Sequence, residues 1–304
     1  MKVFFFFGVN ASGICDGERV AKIIQASKAV VVRTCPEYEA EYLNLFEKII
    51  GNEQGRGSVP SRKLCGPIPT SGSEKHKQVF PVGLLLPEKP KGRTSNDIFG
   101  WLDVQKANSV VFIGFGSECK LSKEQVEEIA YGVELSGLAF LWTLRKPDWA
   151  VSEVDTLPCG FRERTQGRGI VCFGWAPKWE ILGHPSIGGS LFHSGWGSVI
   201  EMLQLGHTLV VLPLVIDQPL NAKLLLDKGL AVEIERSEDG SFCRDDVAKA
   251  LRLAMVSEEG EKLRSRARET AQVFGNRDLQ DTYFNRFVEY LKENGAANQK
   301  MYHA

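Results

Sequence analysis

The chain has 304 residues, 43% of them hydrophobic, and balances 37 Lys and Arg against 38 Asp and Glu for a formal net charge of −1. That length and apolar content suit one large domain or two medium ones. The charges are mixed along the chain, which argues against nucleic acid or a charged membrane surface as a partner.

At the amino end, Met1 to Phe7 form a short apolar run with no small-residue cleavage site after it, a poor targeting signal. No run reaches the ~18 apolar residues that a membrane span needs. Seven cysteines, an odd number with no CxxC pair, suit a reducing compartment, so the expected location is the cytoplasm. KAVVVRT, just after Ser27, reads as a buried strand, and PEYEAEYLNLFEKII as a helix with Tyr38, Tyr42, Leu45 and Ile49 on one stripe. Residues 51–78 hold glycine, proline, serine and charge with little to bury and read as an exposed linker or insertion. QVFPVGLLLPEKPKGR is linker-like as well.

From Ser109 the pattern becomes regular. SVVFIGFGS is a strand ending in a glycine turn, SKEQVEEIAYGVELSG a helix, LAFLWTLR and GIVCFGW two strands. SIGGSLFH, a helix after Gly197, TLVVLPLV, a helix through Asn221 to Lys228, and AVEIER follow. Continuously apolar strands alternating with helices predict an α/β fold, a doubly wound parallel sheet covered on both faces. Three helices come last; Asp245 to Met255 buries Val247, Ala248, Leu251 and Met255, and Tyr283, Phe287 and Leu291 form a stripe on the final one.

The stretch HSGWGSVIE, residues 193–201, lies where the strand SIGGSLF turns into a helix. Ligands bind beyond the carboxyl ends of such strands. Gly195 and Gly197 let the backbone approach a ligand closely, and the N–H groups of the helix start form an anion site to which His193 and Ser198 can add donors. A plainer reading stands beside this one: Ser198 and Glu201 have S-x-x-E capping-box spacing, with His193 and Trp196 as packing residues. GFGSEC also carries two of the three glycines of a dinucleotide fingerprint, but Cys119 replaces the third and no partner motif supports it.

The wider segment, WAPKWEILGHPSIGGSLFHSGWGSVIEMLQLGHTLVVLPLVIDQ from Trp175 to Gln218, resembles the signature box of plant family-one UDP-dependent glycosyltransferases. The match takes in Trp175, Ala176, Pro177, His184, Pro185, Gly188, His193, Gly195, Trp196, Ser198, Glu201, Gly206, Pro213, Asp217 and Gln218. The resemblance implies a Rossmann-like fold, the carboxy-terminal half of a GT-B type glycosyltransferase with a remnant of the amino-terminal domain. It divides the chain into residues 1–50 (remnant of the acceptor domain), 51–92 (linker with polar insertion), 93–294 (UDP-sugar-binding domain) and 295–304 (tail). UDP-binding roles fall to Ser117, Trp175, Ala176, Lys178, His193, Gly195, Gly197, Ser198 and Glu201: Trp175 stacks on uracil, Ala176 pairs with the base edge, Glu201 accepts from the ribose, and the loop holds the diphosphate. Trp196, Asp217 and Gln218 would serve the sugar. The implied reaction is inverting transfer of a hexose from a UDP-sugar co-substrate, with no cofactor and no metal, to a hydroxyl of a small plant metabolite. The HSGWGS variant resembles a branch that extends existing glycosides, of terpenoid or flavonoid type.

Family members take the acceptor proton with a histidine near the start of the first domain. Here the histidines are His76, His184, His193, His207 and His303, none at that place, so no catalytic residue is assigned and negligible transfer by the chain alone is expected. Residues 51–78 interrupt a region that related sequences cross almost directly, as a retained intron or faulty gene model would. Gly197 stands where asparagine is usual and Ser194 where cysteine is common. A non-catalytic UDP-binding fragment or a decayed gene product is the alternative.

Overall fold

The computed structural model describes residues 16–51, 78–88, 97–116 and 119–302, with the side chains at 16, 25, 51 and 295–302 left aside. The polar insertion from 52 to 77, Ser117, His76 and His303 lie outside the described residues. The chain begins with α1 (Asp16–Ala26), β1 (Ala29–Val32), α2 (Pro36–Gly51) and β2 (Gln78–Pro81). It continues through α3 (Asp97–Asp103), β3 (Val110–Gly114), α4 (Lys123–Ser136), β4 (Ala139–Leu144), α5 (Phe161–Arg164), β5 (Gly169–Phe173), α6 (Lys178–Leu182) and β6 (Ile187–Phe192). Then follow α7 (Trp196–Leu203), β7 (Thr208–Val211), α8 (Gln218–Asp227), β8 (Ala231–Glu233), α9 (Arg244–Met255), α10 (Glu261–Phe274) and α11 (Arg277–Tyr302).

Two compact units emerge: residues 86–275, and residues 1–85 together with 276–304. In the larger unit six parallel strands run in the order β5-β4-β3-β6-β7-β8. The chain enters at the middle with β3, winds out to β5, and returns beside β3 with β6. Connections from these two central neighbours depart in opposite directions, which opens a crevice beyond their carboxyl ends. Continuous apolar runs make the strands: Val110, Val111, Phe112 and Ile113 of β3 are all buried, as are Leu209, Val210 and Val211 of β7. A strand flanked by helices on both faces has no solvent side, so alternation disappears. On one face α4 and α9 pack together, α4 burying Val126, Ile129, Ala130 and Val133, and α9 burying Val247, Ala250, Leu251 and Ala254. The start of α4 is closed by a reciprocal cap between Ser122 and Gln125.

The smaller unit differs from the sequence expectation in three ways. VFP, read as linker, forms β2, which pairs in parallel with β1 from Ala29↔Gln78 to Val32↔Pro81. The helix α11, assigned by the sequence to the nucleotide-binding domain, packs on β2: Phe80 lies 4.5 Å from the Tyr290 ring and 5.6 Å from that of Phe287. Gln280 Oε1 accepts from Leu84 N at 2.9 Å, and Tyr283 donates to Glu37 Oε1 at 2.7 Å. These contacts draw the boundary at Gly275 rather than at residue 294. Of the expected α2 stripe Tyr38 is buried, whereas Tyr42, Leu45 and Ile49 are exposed; Leu43 is buried instead. Two four-residue strands are too small a platform to cover both flanks of a 16-residue helix. The helices α1 (11 residues) and α3 (7 residues) also escaped the sequence reading.

Candidate functional site

The turn from β6 into α7 answers the ambiguity of HSGWGSVIE. Gly195 is the N-cap of α7, in extended conformation and with no side-chain cap. Ser198 is therefore inside the first turn and Glu201 one turn further on, so the capping-box reading fails. A helix that starts without a side-chain cap keeps its first N–H groups and its positive dipole end available to an anion.

His193 sits against this opening, held between two glycines. A Cβ added at Gly116, in the turn after β3, would lie 3.0 Å from His193 Cε1, and one at Gly195 would lie 2.7 Å from Nε2. Gly116 also has φ +67°, a conformation that side chains disfavour. The close approach joins the β3 and β6 turns at the switch point of the sheet. Burial lowers the His193 pKa below its ordinary value and the Lys178 ammonium lowers it further, against the opposing influence of Asp217 and the Gly114 backbone. The imidazole is then neutral at neutral pH, with one N–H to donate.

The loop after β5 supplies a second wall. Trp175 is 82% exposed, a large flat indole facing solvent. Three residues on, the Lys178 N–H donates to the Ala176 carbonyl at 2.7 Å, folding the WAPK segment tightly around Pro177. Lys178 Nζ reaches Glu201 Oε2 at 2.5 Å and Ser198 Oγ at 3.4 Å, which ties this loop directly to α7. The segments carrying Trp175 and Glu201 are thus neighbours although β4 and β3 separate their strands in the sheet.

The third wall, after β7, departs from expectation. Gln218 is 4% exposed. Its Oε1 accepts from the N–H groups of Leu214 and Val215 at 2.9 and 3.0 Å, and its Nε2 donates to Cys119 Sγ at 3.4 Å. The amide expected to meet a sugar is occupied in closing its own loop, because three polar backbone and thiol groups there need partners. Asp217 remains half-exposed at the start of α8, its Oδ2 accepting from Asn221 Nδ2 at 2.9 Å. Asn221 Nδ2 also donates to the Ser194 carbonyl at 3.0 Å and so bridges the β6 and β7 loops. Ser194, buried with φ +61°, places its hydroxyl 2.5 Å from the His193 carbonyl and 2.8 Å from that of Gln218; one proton serves either acceptor. Sequence reasoning missed Gly116 and Asn221, although the i+4 spacing of Asn221 from Asp217 was a usable signal. Trp196 and Gly197, half-exposed, open α7.

The two other described histidines have structural partners. His207 is buried between Ser190 Oγ at 2.9 Å and the Leu182 carbonyl at 2.9 Å, and burial pushes its pKa down to about 4. His184 joins Ser186 at 2.8 Å and Asp103 at 3.1 Å. Among the described residues no three His, Cys, Asp or Glu side chains come together as a metal cluster, and no helix is long and apolar enough to cross a membrane.

A doubly wound sheet with an uncapped helix start and a neutral imidazole at its switch point, and an exposed indole on the loop tied to that helix, has the arrangement of the nucleotide-binding α/β class. The family model described as UDP-glucoronosyl and UDP-glucosyl transferase matches residues 82–262, and the chain belongs to this family. Soyasaponin III rhamnosyltransferase from Glycine max is 48% identical over 224 residues, covering 71% of this chain and 47% of that protein. UDP-glycosyltransferase 91D2 from Stevia rebaudiana is 39% identical over 293 residues, covering 95% of this chain and 57% of that one. The crystal structure of a UGT transferase from Siraitia grosvenorii in complex with UDP has a TM-score of 0.71 at 28% identity, over 88% of this chain and 61% of that chain. The chain spans about half the length of the curated relatives it matches.

Proposed function

We propose that the larger unit binds the UDP moiety of a UDP-sugar and that the protein serves inverting transfer of a hexose to a hydroxyl of a small plant metabolite. The observation that carries this reading is the uncapped start of α7 with His193, Ser198 and Lys178 around it and Glu201 one turn away. In it, Trp175 stacks on uracil and the Ala176 backbone pairs with the base edge. Glu201 accepts from the ribose hydroxyls. The α7 amides from Gly195 to Ser198, with His193, stabilise the charge that develops on the departing diphosphate. Ser117, outside the described residues, is assigned to the diphosphate by the family resemblance alone. Trp196 and Asp217 address the sugar, and Gln218 holds the loop that presents Asp217.

An acceptor that already carries a sugar, of terpenoid or flavonoid type, is supported by the name of the soybean relative, which refers to a saponin. A cytoplasmic setting is supported by free thiols at Cys35, Cys119, Cys159, Cys172 and Cys243. On this reading His193 serves the diphosphate, and His184 and His207 hold the structural partners described above. We expect the chain to bind donor and, by itself, to transfer negligibly. Calorimetry of the folded chain with UDP tests the binding half of the proposal, and absence of heat at millimolar UDP would overturn it. Steady product formation from UDP-glucose and a saponin or flavonoid glycoside would overturn the second half.

A further inference from the structure

Lys178 opens α6 between two groups with opposite requirements. Its ammonium is 2.5 Å from Glu201 Oε2 and 3.4 Å from Ser198 Oγ. On the reading above, Glu201 receives the ribose diol and Ser198 faces the diphosphate. A diphosphate brought up to a carboxylate is repelled unless a cation stands between them. The Lys178 and Glu201 side chains are 42% and 29% exposed, so the pair is held weakly and the long lysine stem is free to turn. The ammonium's field also reaches His193, on the diphosphate side of the site.

We propose that Lys178 is an exchangeable cation that makes the site prefer a nucleoside diphosphate over the bare nucleoside. In the free chain it neutralises Glu201. When the nucleotide enters, the ammonium turns past Ser198 onto the diphosphate and releases the carboxylate oxygen to the ribose hydroxyls. The inference rests on the UDP-binding reading and adds a partner exchange to it.

The test titrates UDP, UMP and uridine into the full chain, as wild type and as Lys178→Met, Lys178→Gln and Lys178→Arg, at low and high salt. In the Met and Gln variants UDP affinity should fall roughly 10-fold at low salt, the size of one lost charge-assisted bond. Its salt dependence should become shallower, while uridine binds as well as before or better. Lys178→Arg should restore the preference for UDP. Equal weakening of uridine and UDP in the Met and Gln variants would show that Lys178 only props Glu201, and would overturn the proposal; so would unchanged affinity for both. A folded wild type that binds none of the three ligands would instead sink the nucleotide reading itself, which keeps the two failures apart.

Discussion

The loops after β6 and β7 leave adjacent parallel strands, and each feeds a helix whose start faces the same crevice. The first keeps its polar groups outward: α7 has no side-chain cap, and His193, Ser198 and Glu201 are partly exposed. The second turns them in: Gln218 is buried, and its amide is spent on Leu214, Val215 and Cys119. Asn221 and Ser194 fasten one loop to the other. The contrast teaches that residues of one signature divide into those left open towards the crevice and those that hold the neighbouring loop still. A rigid wall lets the open one stay pre-organised without closing over its own donors.

The contrast breaks most severely if the inward amide is removed. Gln218→Leu leaves the Leu214 and Val215 N–H groups without their acceptor, and stability should fall by about 2–4 kcal/mol. Urea unfolding measures this, and an unchanged midpoint would show that the amide does not hold the loop.

Beneath both loops, His207 links β6 to the end of α6. With a folded pKa of about 4 against an ordinary 6.5, the unfolded chain binds more protons in that interval. Stability is therefore fully present above pH 6.5 and is lost as pH falls towards 4, by about 3 kcal/mol from this group. Comparing the urea midpoints of the wild type and His207→Asn across that range isolates the contribution; parallel pH profiles would exclude it.

The open side responds differently. Trp175→Ala removes an exposed indole, so stability should change by less than about 0.5 kcal/mol, whereas UDP affinity should drop by about 10-fold, as expected for one lost base–aromatic stack. Undiminished affinity would place uracil elsewhere. The smallest effect belongs to Gly116→Ala, where the left-handed backbone and the His193 ring together oppose a methyl group. A stability loss of about 1 kcal/mol is expected, with weaker UDP binding as the ring shifts; a variant that binds UDP normally would show that the ring has room to move.

Much of this was readable from local pattern. Six apolar runs, the longer helices between them and the glycine turns after β3 and β6 express periodicities that each segment carries alone, and the signature spacing from Trp175 to Gln218 put the candidate residues on loops at the carboxyl edge of the sheet. Other features depend on partners far along the chain. The linker-like VFP became a strand because β1 offered it a parallel edge, and α11 left the nucleotide-binding unit because Phe80 gave Tyr290 and Phe287 a surface. Serine–glutamate spacing was equally compatible with a helix start at Ser198, and only the folded turn put that start at Trp196.

Sequence by itself determined the six strands and the longer helices of the larger unit, the family, and the polar residues of the candidate crevice, since residue type and short-range spacing suffice for these. Tertiary structure alone decided which way each of those residues faces, that Lys178 pairs with Glu201 and that Gln218 serves its own loop. The physical reason is that a polar side chain goes to whichever unsatisfied group lies nearest, and nearness is a property of the packed chain.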